Sequence, residues 1–326
     1  MTLTKKRLAV IAILLAVVYF IPLMFLPETI VGDRGDNLLL FIPRILFLAL
    51  TAAMVTVFVL VFVFKRDFIS WQIFSFNRFK HLLRLLVKRD FVTRYRKSAL
   101  GVVWSLLNPL LTMLIMTLVF SHLFRFQIEH FPVYILSGQM IFGFFSESTS
   151  SAMSSLIGNA AIINKVYVPK YVFPLAKVLS SLVNLLFSFI AFLLVFTITG
   201  VPFRWTMLLI PIPIIYIFVF SLGVAMLMSS LVVFFRDLTH LYSVFLTMLM
   251  FLTPIMYPID IIPEHLLPFW GFNPMYHFVD YFRALTLWGF VPDLWSNIVC
   301  IGFALASLCA GTYVFMRQQD RYILYL

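Results

Sequence analysis

Residues 76–109 read FNRFKHLLRLLVKRDFVTRYRKSALGVVWSLLNP, a basic stretch that turns into an apolar run without a linker. Phe79, Leu82, Leu83 and Leu86 fall at i, i+3, i+4 and i+7, while Lys80, His81, Arg84 and Lys88 share the opposite face. That spacing predicts an amphipathic helix, placed here at 78–97. Arg78 to Lys97 holds eight Lys or Arg against one acid, Asp90, and so carries +7 of the chain's +11. Such a helix lies in a membrane interface, where each basic group near an anionic surface contributes up to about 1 kcal/mol. A solvated or nucleic-acid-binding helix carries similar charge, but neither continues into the apolar run that opens at Leu100.

Working outward, 63% of the 326 residues are hydrophobic and 11% charged. A soluble domain averages about 25% charged, so the chain is predicted to be a polytopic membrane protein. Its basic charge clusters beside apolar runs, which the positive-inside rule explains without a nucleic-acid partner. The two cysteines, Cys300 and Cys309, share the last run. Nine residues of helix rise about 13.5 Å, too far for a disulfide within one helix.

Eight apolar segments are expected to span a bilayer, each near the ~20 residues required. Two lead the chain, 8–26 and 38–64, and form a region 1–76 of extra N-terminal helices. The first follows Lys5, Lys6 and Arg7 with no small-residue cleavage site after it, and reads as a retained anchor. Six more, 99–124, 133–157, 172–199, 207–234, 241–262 and 294–316, form an all-α core with the interface helix over 77–326. With both termini cytoplasmic, 19 of the 24 Lys and Arg fall inside or beside inner segments. Between the last two spans, 266–287 is apolar yet broken by Pro268 and Pro274 and charged at Asp280 and Arg283. Two short re-entrant helices fit it better than a loop or a span.

Six stretches together resemble a known family: LVKRDFVTRYRKSALGVVWSLLNPLL (86–111), FPVYILSGQMIFGFFS (131–146), LIGNAAIINKVYVPKYVFPLAKVLSSLVN (156–184), VVFFRDLTHL (232–241), FLTPIMYP (251–258) and FNPMYHFVDYFRAL (272–285). In order and spacing they are similar to the membrane subunit of ABC-2 type exporters of lipid-linked polysaccharides, including O-antigen, capsule and teichoic acid. The two leading helices depart from that pattern. The resemblance implies a non-catalytic permease of the bacterial inner membrane, half of a homodimeric pore. Two copies of a separate ATPase, which would hold ATP and Mg, would power it, and the substrate would be a lipid-linked glycan.

The chain carries no GxxxxGKS or GxxxxGKT string, so no phosphate-cradling loop is expected. LSGQM, 136–140, has a superficial likeness to an ATPase signature but lacks a second glycine and opens an apolar span. The six histidines are scattered, without metal-ligand or acid–base spacing. A membrane enzyme acting on lipid-linked sugars would need converging acids, and the acids are dispersed. An ABC-2 exporter of another amphiphile is the remaining rival.

Candidate site residues follow from position. The turn GNAAIINKVYVPK, 158–170, is too apolar for a solvated loop and is similar to the family's docking stretch. Asn159, Ile162, Ile163, Lys165, Tyr167 and Pro169, with Arg236 and Asp237 of a smaller contact, are expected to meet the ATPase, and Pro169 is expected to end a short helix. Arg89, Asp90, Arg94, Tyr95 and Arg96 would frame the entrance. Glu147 lies mid-span, where an ionised acid must face protein or water. It is a candidate either for lining a conduit or for interhelical packing. Ser151 of the same span and the aromatics Trp104, Phe120, Phe245, Phe251 and Tyr257 are further lining candidates, since sugar faces stack on rings. Asn273, Pro274, Asp280 and Arg283 would form an outer gate. A small-residue stripe, Gly302, Ala306 and Ala310, reads as packing.

Overall fold

A computed structural model describes residues 66–96, 100–123, 128–166, 168–263 and 266–325, with side chains from residue 79 onward apart from 122, 123 and 268. The two leading helices, Lys97 and Tyr167 lie outside the described residues. Within them the chain is helical and carries no strand.

The organising helix, α1, runs Arg66–Tyr95, beginning earlier than the 78 expected from its amphipathic spacing. α2 is Val103–Thr117, continued by a wider π-helical turn, Leu118–Leu123. α3, Phe131–Met153, is followed by the short α4, Ala160–Ile163, and the long α5, Val172–Ile198. α6 is Pro211–Phe234 and starts on a proline, which costs nothing where the first N–H groups have no helical acceptor. α7 is Leu238–Leu252, α8 Leu267–Trp270, α9 Pro274–Arg283, α10 Leu294–Gln318 and α11 Tyr322–Tyr325.

Four stretches among the described residues are long and apolar enough to cross a membrane: Val103–Ser121, Val172–Ile198, Trp205–Phe234 and Leu294–Tyr325. Two expected spans come out differently. α3 is long enough but carries Ser, Thr, Gln and Glu, and stops at Met153 rather than 157. The segment expected over 241–262 is helical only to Leu252, because Pro254 drives Thr253 into an extended conformation (ψ 126°).

α3 is the hub. It packs against α2, α5, α6, α7 and α9, and Val133, Ile135, Leu136, Ser137 and Ile141 are fully buried. Several phenylalanines join helices. Phe145 of α3 lies 5.4 Å from Phe220 of α6, which lies 5.3 Å from Phe278 of α9, and Phe282 meets Phe192 of α5 at 5.5 Å.

α6 and α10 pack along their length. A Cβ on Gly311 would overlap the Gly223 carbonyl, and one on Gly223 would overlap the backbone of Ser307, so the two main chains touch. Gly302 and Ala306 of the expected stripe are buried on α10, but Ala310 is exposed and the close approach to α6 uses Gly311.

Candidate functional site

The first polar cluster gathers on α1. Asp90 receives Lys177 of α5 at 2.8 Å, and Arg94 pairs with Glu147 of α3 at 2.5 Å. The same Glu147 oxygen accepts from Asn184 Nδ2 at 2.6 Å, and Asn184 Oδ1 accepts from the Tyr95 hydroxyl at 3.3 Å. Glu147 is therefore spoken for by two neighbouring helices. Burial lowers the Arg94 pKa, but the Glu147 charge and hydrogen bond, with a smaller Tyr95 effect, more than offset it and leave it above the ordinary arginine value. Asn184 and Lys177 sit unremarkably in an apolar run of the sequence, and the lone mid-span acid was the one signal that a partner was needed.

One residue earlier, Arg89 donates to Asn159 Oδ1 at 3.1 Å, and Asn159 Nδ2 donates to the Ser155 carbonyl at 2.7 Å. This ties α1 to the turn read as a docking element. The turn is less open than its composition implies. Leu83 and Leu86 of α1 cluster with Ile163, Val168 and Tyr171, with Ile162 packed alongside. Asn159 and Ile163 face the bundle, because the apolar face of α1 covers the hydrophobic residues that seemed to need a partner. Lys165 and Val166 remain exposed, as do Arg236 and Asp237, and Pro169 is half-buried. The short helix ends at Ile163, a turn before Pro169 can act on it. Arg96 is exposed.

The second polar cluster surrounds the break after α7. A helix end leaves carbonyls without partners, and in a buried site each must be met. Asn273 Nδ2 donates to Leu252 O and Thr253 Oγ1, both at 3.1 Å, while its Oδ1 caps α9 by accepting from Met275 N at 3.0 Å. Pro274 follows at the first helical position, where it needs no acceptor. Arg283 is 2% exposed. It donates to Pro254 O at 2.7 Å, Ile255 O at 3.1 Å, Tyr134 O at 3.0 Å and Ser137 Oγ at 3.2 Å. Its guanidinium lies 3.5 Å over the Tyr134 ring. The Tyr134 hydroxyl reaches Tyr257 O at 3.0 Å and Pro254 O at 3.3 Å.

Arg283 is thus an internal strut within the segment expected to gate. Gly138 explains the LSGQM string: a Cβ there would meet Arg283 Nη2 at 2.9 Å and Ile255 at 3.0 Å. Asp280 lines a polar cavity of about 200 Å³ with His277, Asp293 and Ser296.

The aromatic lining candidates do not converge within one chain. Trp104, Phe245 and Phe251 are exposed on α2 and α7, and Phe120 and Tyr257 are partly covered. Tyr257 donates to Phe251 O at 2.7 Å, and Ser151 to Ser148 O at 3.2 Å.

This geometry is that of an all-helical chain with helices long and apolar enough to cross a membrane. The chain belongs to the ABC-2 type transporter family, which matches residues 81–287. It is 30% identical over 246 residues to the O-antigen export system permease protein RfbA of Klebsiella pneumoniae, covering 74% of this chain and 93% of that relative. The RfbA permease of Myxococcus xanthus is 28% identical over 247 residues, covering 75% and 95%. The polysialic acid transport protein KpsM of Escherichia coli is 22% identical over 244 residues, covering 74% and 95%. Both polar clusters lie inside the matched segment.

Proposed function

We propose that this chain is the permease subunit of an inner-membrane ABC exporter that moves a lipid-linked polysaccharide outward. It works as a homodimer with two copies of a separate ATPase, which carries ATP and Mg, while this chain supplies the path and has no catalytic role. The observation that carries the reading is the alignment with O-antigen permeases across nearly their whole length. Both termini are cytoplasmic, following the bias of Lys and Arg.

In this arrangement the 157–166 turn receives the ATPase through its exposed edge, Lys165 and Val166, with Arg236 and Asp237 as a second contact. Arg89 and the α1 apolar face brace the turn from behind, so a push on it is passed to α1. Through Arg94 and Glu147, α1 is coupled to the hub helix. The segment after α7 sits on the outer side and forms a gate held by Asn273 and Arg283.

The test is deletion of the gene and measurement of surface glycan, followed by restoration with this chain plus its ATPase. A second strain carries Lys165→Glu with Val166→Asp. Export is expected to disappear on deletion, return on complementation, and fail in the variant through loss of copurified ATPase at normal expression. Surface glycan unchanged by deletion would refute the substrate class, and retained copurification and export in the variant would refute the docking edge.

A further inference from the structure

The cations of α1 whose side chains are described fall into two sets. Arg89 and Arg94 have partners, Asn159 with Asp90 and Glu147 respectively. Lys80, Arg84 and Lys88 are exposed and take part in no ion pair or hydrogen bond among the described residues. They stand at i, i+4 and i+8, one stripe along about 12 Å of helix.

Beneath that stripe is an open groove of about 520 Å³ between α1 and α5. Val87 and Phe91 form one wall and Leu179, Val183 and Leu186 the other, and the three cations line its rim. Phe91 is stacked on Phe187 of α5 at 5.8 Å. The volume lies within the roughly 300–1,000 Å³ typical of sites for small molecules. An apolar slot beneath a row of unmatched cations is complementary to an amphiphile with one anionic end.

We infer that this groove is a binding site for an anionic glycerophospholipid, one acyl chain lying between α1 and α5 and the headgroup phosphate on Lys80, Arg84 and Lys88. Long Lys and Arg stems allow charged heads on successive turns to reach one headgroup while their alkyl parts lie along the apolar slot. Such a lipid would fill the gap between the helix that braces the docking turn and α5, which supplies Lys177 and Asn184 to the same helix. The groove and its cations are the same whichever polysaccharide is exported and whichever way the chain faces.

Native mass spectrometry of the full purified subunit tests it, with phosphatidylglycerol and phosphatidylethanolamine of identical chains as probes. The unsubstituted chain is expected to retain phosphatidylglycerol about ten-fold better. Lys80→Gln, Arg84→Gln and Lys88→Gln together should abolish that preference, and Val183→Trp, which leaves every charge in place, should lose the bound lipid. Equal retention of the two lipids by the unsubstituted chain would overturn the site, as would an unaltered preference in the triple variant or full retention in Val183→Trp. Farnesyl diphosphate displacing phosphatidylglycerol at equal or lower concentration would overturn it too, by assigning the groove to a diphosphate.

Discussion

Arg94 is held by a carboxylate, with its side chain 44% exposed, whereas Arg283 is sealed in the protein and surrounded by carbonyl oxygens and a ring. The first arrangement joins two charges across a partly wetted surface, where screening and side-chain entropy keep the net gain small. The second uses one cation to satisfy the Pro254 and Ile255 carbonyls, left where the chain breaks after a helix inside the bundle, and to tie them to Tyr134 O of α3. There the helix break and the arginine are mutually dependent: neither is tolerable in apolar surroundings without the other.

Four tests sharpen this contrast, beginning with the most damaging substitution. Arg283→Leu strands the Ile255 carbonyl, leaves Pro254 O with only the long bond from the Tyr134 hydroxyl, and empties a packed site, and is expected to lower stability by about 3 kcal/mol. Thermal unfolding in detergent reads this, and Arg283→Lys should rescue little, since one ammonium lacks the planar fork. A stable, monodisperse Arg283→Leu protein would break the comparison at its stronger end. Gly138→Val drives a side chain into Arg283 and Ile255, with an expected loss of about 1–3 kcal/mol on the same melt. Ser137→Ala removes the acceptor of Arg283 Nε alone and should cost about 1 kcal/mol.

The weakest effect belongs to Arg94. A double-mutant cycle of Arg94→Gln and Glu147→Gln is expected to give a coupling of about 0.5–1 kcal/mol that shrinks at high salt. Coupling as large as the Arg283 loss would show that membrane burial makes the two sites alike.

The same contrast explains what the sequence discloses. The amphipathic α1 is visible because its apolar positions repeat with the period of a helix. Pro268 and Pro274 announce the broken segment before α10, and Glu147 announces a partner by being an acid in an apolar run. The carbonyl cradle of Arg283 is silent, because backbone oxygens belong to every residue and only the fold brings Tyr134, Pro254 and Ile255 together. The docking turn misleads for a related reason. Ile163 is apolar because α1 covers it, and composition alone does not say whether the cover comes from the same chain. Hydropathy continues past Leu252 while the backbone turns at Thr253, so composition alone carries α7 too far.

The contact between Gly223 and Gly311 has a mechanical consequence. Where main chain rests on main chain, α6 and α10 have no cushion of flexible side chains between them, and sliding one past the other by a turn would bring bulky residues where only hydrogen fits. The pair therefore behaves as a single stiff beam, which can tilt or rotate as a body but does not shear internally.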